Sequence, residues 1–207
     1  MTRAGLNRSN GWSMVVEDPR IQRAQSGDLA AFNELVVEYQ TLVCNLCLRM
    51  LGQQQAAEDA AQDAFISAWR NIRSFRGDSF RAWLLRIAGN LCRDELRRRG
   101  RRPSSSLDTA LEAGLPDPPD DDPLPEDTAL NSELRGSLEA ALAELPPEQR
   151  TAIVLCDVEG LDYTEIAAAM QTSLGTVKSR IARARLRMRE VMLKQPELLP
   201  ARYRQGG

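Results

Sequence analysis

Histidine is absent from this chain of 207 residues. Without it neither a Cys/His zinc site nor a Ser-His-Asp triad can be assembled. A glycine-rich phosphate loop is missing as well. These absences argue against an enzyme, and no metal or cofactor is expected. Cysteine is sparse, at four residues, and Cys44, Cys47, Cys92 and Cys156 form no dense disulfide framework. The C-x-x-C in VCNLCLRM lies in an apolar helical run with no second pair, so the thiols read as buried, structural and reduced, which suits a cytoplasmic location. No apolar run approaches the roughly 20 residues that span a bilayer, so membrane insertion is not expected. The first residues lack the hydrophobic core of a signal peptide. Residues 1–17 read as a disordered leader in which Met14 is an alternative start, and residues 195–207 as a loose tail.

Aromatic residues make up only 5% of the chain, and the apolar set is rich in Ala and Leu. That favours helix over sheet. The net charge of −2 hides strong segregation. From Pro103 to Leu134 the sequence carries acidic residues from Asp108 to Glu133, several prolines and no basic residue. It has little to bury, so residues 103–132 read as a flexible acidic linker. The fold class that follows is all-α: two small helical domains, residues 18–102 and 133–194, joined by that linker.

In the first domain Phe32, Leu35, Val36, Tyr39, Leu42, Val43, Leu46, Cys47 and Met50 recur at helical spacing. A second helix covers about Ala56 to Ile72, with Ala61, Phe65, Ala68, Trp69 and Ile72 as its buried stripe. After the loop SFRGDS, a third begins near Ser79. In the second domain one helix stops at Pro146 and the next starts at the Pro146–Pro147 pair. Asp162 and Glu165 then form a D-x-x-E capping box, flanked by Leu161 and Ile166. The turn QTSLG follows, then the basic stretch LGTVKSRIARARLRMRE. Helix, short turn and basic helix make a helix-turn-helix pattern.

At 100° per residue Val177, Ile181, Ala184 and Met188 share one side of the basic helix. The other side offers Ser179, Ala182 and Arg183, flanked by Lys178 and Arg180. Small residues bordered by cations suit close approach to a DNA major groove. The helix N-terminus around Gly175 to Val177 would favour a phosphate. A second basic surface lies in the first domain: residues 70–102 hold eleven arginines against three acids, a net of +8. Such a surface suits phosphate neutralisation. Phe75 and Phe80, beside arginines, have the chemistry that stacks on single-stranded bases. Trp69 and Trp83 lie on apolar stripes and read as core.

AEDAAQDAFISAW, FRGDSFRAWLLRIAGN, the arginine-rich helix end, a linker, LPPEQRTAIVLCDVEGLDYTEIAAAM and GTVKSRIARARLRMR follow one another in order. Together they resemble the bacterial RNA polymerase sigma factors of the extracytoplasmic-function (ECF) type, which keep the second and fourth sigma domains. The likeness covers about residues 25–102 and 133–192. It implies that Asp59, Gln62 and Asp63 dock on core RNA polymerase. It implies that Phe75, Arg76, Asp78, Ser79 and Phe80 capture a −10 base, with Asn90, Arg93 and Arg97 on the −10 duplex. It also implies that Thr176, Lys178, Ser179, Arg180 and Arg183 read the −35 element. Partners would then be core polymerase, promoter DNA and an anti-sigma factor. One departure is the TSL of Thr172 to Leu174, where many relatives have a small-apolar-proline turn, which leaves the −35 preference open. The rival readings are a stand-alone helix-turn-helix regulator that needs no polymerase, and an interaction protein whose basic patches bind acidic partners.

Overall fold

A computed structural model describes residues 18–76, 79–101 and 125–194. The expected leader, most of the linker and the tail lie outside the described residues. Eight α-helices follow one another there: α1 (Pro19–Gln25), α2 (Leu29–Leu51), α3 (Gln54–Asn71), α4 (Phe80–Arg101), α5 (Pro125–Ala143), α6 (Pro147–Ile153), α7 (Tyr163–Met170) and α8 (Leu174–Met192). A 3-10 turn, Ile72–Ser74, follows α3, and a π turn, Val154–Val158, extends α6.

The first module is α1 to α4. Asp18 caps α1 with Pro19 at its first turn, and Asp28 caps α2 through the Ala31 amide. The short helix α1 has no apolar period of its own, which is why the sequence pattern did not separate it from α2. Phe32, Leu35, Val43, Leu46, Cys47 and Met50 of α2 are buried, as the spacing predicts. Gly52, at φ 71°, ends α2 in the left-handed conformation that glycine adopts without strain. The buried side of α3 is an alanine seam of Ala57, Ala60, Ala61, Ala64 and Ala68. Phe65 and Trp69, expected within that stripe, pack at its edge, and Trp69 stacks against Phe32 with ring centroids 5.0 Å apart. Small side chains let the α3 backbone lie close to α2 and α4.

The second module is α5 to α8. Here α5 begins at Pro125, inside the segment read as linker. Pro125 at the first turn with Glu126 and Asp127 behind it is a helix start, because proline needs no amide partner there and acids favour the N-terminal dipole. The acidic composition masked that signal. Ile153, Val154, Leu155, Ile166, Val177, Ile181 and Ala184 form the centre of this module.

The two modules lie against each other. Helix α4 packs on α6 and α7, and the C-terminal half of α2 packs on α5 and α6. The buried apolar residues of both modules form one continuous cluster, and several polar bonds cross beside it. Arg150, buried, donates to the Met50 carbonyl at 2.6 Å, and Thr151 Oγ1 lies 3.5 Å from Met50 Sδ. Arg81 donates to the Glu159 carbonyl at 2.5 Å. Cys47 and Cys92 are buried free thiols, Cys156 is half-buried, and Cys44 is exposed, contrary to the expectation of buried thiols throughout. Cys44 falls outside the buried stripe because it sits one position past Val43.

Candidate nucleic-acid interface

Helices α7 and α8 are joined by a tight turn, and side chains cap the N-terminus of each. The Asp162 carboxylate accepts from the Thr164 and Glu165 amides at 2.7 and 2.8 Å. Glu165 accepts in return from the Asp162 amide at 3.1 Å. The expected capping box is present, and the flanking Leu161 and Ile166 are buried. Gln171 closes α7 at φ 49°, a left-handed position. Ser173 then caps α8, its Oγ accepting from the Thr176 amide at 3.1 Å and lying 2.9 Å from Thr176 Oγ1. So α8 starts at Leu174, and the turn is shorter than the segment QTSLG. The Thr176 amide, expected among the free donors, is already used.

The face of α8 divides as its spacing predicts. Val177, Ile181 and Ala184 are buried, and Met188 is partly so. Lys178, Ala182 and Arg183 are exposed, and neither cation has a side-chain partner among the described residues. Ser179 is half-buried and donates to the Thr176 carbonyl at 2.9 Å. Arg185, although exposed, is tied down instead. It grips both oxygens of Asp157 at 2.6 and 3.0 Å, tying α8 to the π turn. That fork holds the Asp157 carboxyl below its usual range.

In the first module the basic surface is α4 and the loop before it. Phe75 and Phe80 are 7% and 5% exposed. Their centroids are 5.7 Å apart, and both rings lie against Trp83, at 5.3 and 5.5 Å. Tyr39 closes the cluster at 5.6 Å from Phe80. The ring faces are therefore committed to the core and offer no open stacking surface, a correction to their reading as stacking groups. Their spacing at the two ends of the loop could not separate the two roles. Gln25 fastens the loop's start by donating to the Ile72 and Phe75 carbonyls at 3.2 and 2.9 Å. Arg76 is exposed, its guanidinium bonded to the Arg73 and Phe75 carbonyls at 2.7 and 2.8 Å. Ser79 caps α4 through the Ala82 amide at 3.1 Å. Asp78 lies outside the described residues.

Further along α4, Asn90 is exposed and accepts from Arg93. Arg93 also donates to the Gly89 carbonyl at 3.1 Å and to Glu148 of α6 at 3.0 Å. Arg97 is exposed and pairs with Asp94 at 3.3 Å. Arg98 and Arg99 share Glu95, at 2.7 and 2.9 Å, and the Arg98 bond leads in pushing the Glu95 carboxyl down to about 2. The same Glu148 that holds Arg93 also lies 3.4 Å from Arg180 of α8. Among the described residues, Glu148 thus brings an arginine expected at the −10 element and one expected at the −35 element to one carboxylate.

On α3, Asp59, Gln62 and Asp63 are exposed on one face, away from the alanine seam. Asp59 accepts from Gln55 at 3.3 Å. Ile66, 40% exposed, continues that face, and the sequence reading missed it. Its place at i+4 from Gln62 and i+3 from Asp63 was the available signal. Among the described residues no group of three Cys, Asp or Glu side chains is arranged to hold a metal. No described helix is long and apolar enough to cross a membrane.

Comparison with known proteins agrees with this geometry. The Sigma-70 region 2 family matches residues 35–102, and the Sigma-70 region 4 family matches residues 135–188. The RNA polymerase sigma-H factor of Pseudomonas aeruginosa is 43% identical over 169 residues, covering 80% of this chain and 88% of the relative. The ECF RNA polymerase sigma-E factor of Escherichia coli is 44% identical over 173 residues, with the same coverage. The ECF RNA polymerase sigma factor SigE of Mycolicibacterium smegmatis is 42% identical, and the match spans 65% of that longer protein. Among solved structures, CnrH in complex with the cytosolic domain of CnrY superposes with a TM-score of 0.63 at 26% identity, covering 86% of this chain and 97% of that one. The sigma factor RpoE of Bartonella quintana, in complex with the anti-sigma factor NepR, gives 0.61 at 28% identity, covering 78% and 96%. Two helical modules matching regions 2 and 4, in that order and with the basic helix of a helix-turn-helix at the end, make this chain a member of the sigma-70 family, an ECF-type sigma factor.

Proposed function

We propose that this chain binds core RNA polymerase through Asp59, Gln62 and Asp63 of α3, with Ile66 as an apolar contact on the same face. It then reads a −10 element with the loop from Phe75 to Phe80 and with Asn90, Arg93 and Arg97. Arg76, Asp78 and Ser79 meet the unpaired strand, while Phe75 and Phe80 hold the loop's shape. Thr176, Lys178, Ser179, Arg180 and Arg183 meet the −35 element. Catalysis belongs to the polymerase, and the chain works in the cytoplasm without a cofactor. An anti-sigma factor is inferred as a further partner, because CnrH and RpoE were each solved in such a complex or its like.

The observation that carries the reading is the exposed face of α8. Lys178 and Arg183 stand unpaired around the small Ala182, on a helix that caps and packing fix rigidly. Unpaired cations on a rigid helix match a groove edge at little ordering cost. The linker fits the same scheme. The 23 residues between α4 and α5 would reach roughly 76 Å at ~3.3 Å each if fully extended, while promoter elements about 25 base pairs apart are separated by roughly 85 Å at ~3.4 Å per step, so the width of the modules must supply the remainder. Run-off transcription with core polymerase on a genomic library tests the reading. Defined start sites that require both proteins are expected. A regulator that footprints a promoter fragment without core polymerase would replace it.

A further inference from the structure

Gln25, the last residue of α1, reaches across to the loop that precedes α4. Its Nε2 donates to the Ile72 carbonyl at 3.2 Å and to the Phe75 carbonyl at 2.9 Å. Both acceptors are backbone oxygens, so the NH2 group of the amide is the end that can serve them. Helix α1 is itself anchored. Ala24 is fully buried, Arg20 pairs with Asp18 and with Glu38 of α2, and Arg23 pairs with Asp28. The turn after α1 lies beside the 3-10 turn, where the Arg73 guanidinium comes within 3.7 Å of the point at which a side chain on Gly27 would begin. The Phe75 carbonyl also accepts from Arg76 at 2.8 Å, and Arg76 holds the Arg73 carbonyl at 2.7 Å. These two donors differ in kind. Gln25 is half-buried and fixed on another helix, whereas Arg76 is exposed and belongs to the loop. When Arg76 turns toward a nucleic-acid strand it gives up those carbonyls, and Gln25 stays. The buried Phe75 ring anchors its own residue but leaves the following peptide free to rotate about ψ. Gln25 fixes that peptide.

We propose that Gln25 is a positioning residue for −10 recognition: it presets the backbone from Ile72 to Arg76 in the shape that captures an unpaired base, which makes α1 part of the promoter-opening machinery. This rests on the reading of the Phe75 to Phe80 loop as the −10 reader. Helix α1 lies before residue 35, where the match to the Sigma-70 region 2 family begins, so that match assigns it no role. A preset loop loses less freedom when the strand arrives, and more of the contact energy appears as affinity.

The test uses holoenzyme assembled from the full chain and core polymerase. Gln25→Met keeps the side-chain length and removes the donor. Gln25→Glu turns acceptors on carbonyls that need donors, and Gln25→Lys restores a donor at similar reach. The probe is a fluorescently labelled fork-junction DNA, built on a promoter mapped by run-off transcription, with the −10 non-template bases single-stranded. A second probe carries abasic sites at those unpaired positions. Gln25→Met and Gln25→Glu are expected to weaken binding of the intact fork about tenfold while leaving the abasic fork within about twofold of wild type. Gln25→Lys should recover most of the loss. An equal loss on both probes overturns the proposal, because the amide would then support the fold alone. Wild-type affinity of both Gln25→Met and Gln25→Glu for the intact fork also overturns it. Failure of the underlying loop reading shows separately: the wild-type holoenzyme would then bind both probes equally well, and the role of Gln25 would fall with it.

Discussion

Replacing Arg150 with methionine is expected to destabilise the fold by about 2–3 kcal/mol, through the backbone that the arginine satisfies. Arg150 is 8% exposed. It donates to the Met50 carbonyl at 2.6 Å, to the Leu145 carbonyl at 3.4 Å and to the Ala143 carbonyl. Burial lowers the guanidinium pKa from its ordinary value. Two good charge-assisted bonds contribute roughly 3–6 kcal/mol before desolvation is counted, and the bond to Leu145 is too long to add much. Removing a buried cation relieves part of that sum. What remains is the cost of carbonyls left without donors, at about 1–3 kcal/mol each. Methionine refills most of the volume, whereas alanine adds a cavity and raises the loss to about 3–5 kcal/mol. Urea unfolding followed by far-ultraviolet circular dichroism measures this. With a slope of about 2 kcal/mol per molar, the methionine variant's midpoint should fall by about 1 M. Met50 belongs to the first module and Ala143 to the second, so the variant should also split one transition into two. An unchanged or higher midpoint would refute the reasoning, because the carbonyls would then not depend on this side chain.

Four further outcomes follow. Asp162→Ala removes the carboxylate half of the capping box, leaving the backbone amide to Glu165, and should cost about 1 kcal/mol, read as a lower thermal midpoint; an unchanged midpoint would deny the cap its role. Lys178→Ala and Arg183→Ala should each reduce the salt slope of promoter binding by the holoenzyme by about one, and a wild-type slope would exclude a phosphate contact. Reversing charge at Asp59 and Asp63 to lysine should abolish co-elution with core polymerase while leaving the melting midpoint within a few degrees, and retained co-elution would move the docking surface elsewhere. The fourth concerns pH. Burial raises the Glu159 and Glu139 carboxyls above 4.5, although Arg49 opposes the shift at both. A raised carboxyl stabilises the state that buries it below pH 4.5, and the contribution is lost as pH rises through the raised value. Glu95 acts oppositely, contributing fully above 4.5 and losing its effect as pH falls toward about 2. Compactness by X-ray scattering should increase from neutrality toward pH 4.5, and expansion over that window would contradict the assignment.

The helix-turn-helix was legible because its signals are local. Asp162, Glu165, Leu161 and Ile166 lie within six positions, and each acts on the chain nearest to it. The buried side of α8 followed from period alone. The burial of Phe75 and Phe80 was not legible because it depends on Tyr39, far off in sequence, as well as on Trp83 one turn further along α4. The start of α5 at Pro125 was hidden by its charge, since acids mark both solvated linkers and helix first turns. Arg185 looked like one more cation in a basic row until Asp157, twenty-eight residues earlier, was placed beside it. Glu148 carried no sequence signal, because its meaning depends on two arginines from separate helices.

The placement of the three faces imposes an order on their use. Asp59, Gln62, Asp63 and Ile66 are exposed on α3, which packs on α2 and α4 through its opposite, alanine side. Module contact runs through α2 and α4 to α5, α6 and α7. The patch proposed to face polymerase is therefore open while Arg93 and Arg180 are held by Glu148. On the proposed reading, core polymerase engages the closed chain first, and DNA meets Arg93 and Arg180 only once the modules part. Parting them breaks the bonds of Arg81, Arg93 and Arg150, which water or phosphate can replace, and also exposes part of the apolar cluster the modules share, a cost that a partner must offset. A large partner that pulls the linker taut can thus exchange one set of polar contacts for another, and the cost of opening falls where the polymerase, not stray DNA, supplies the compensation.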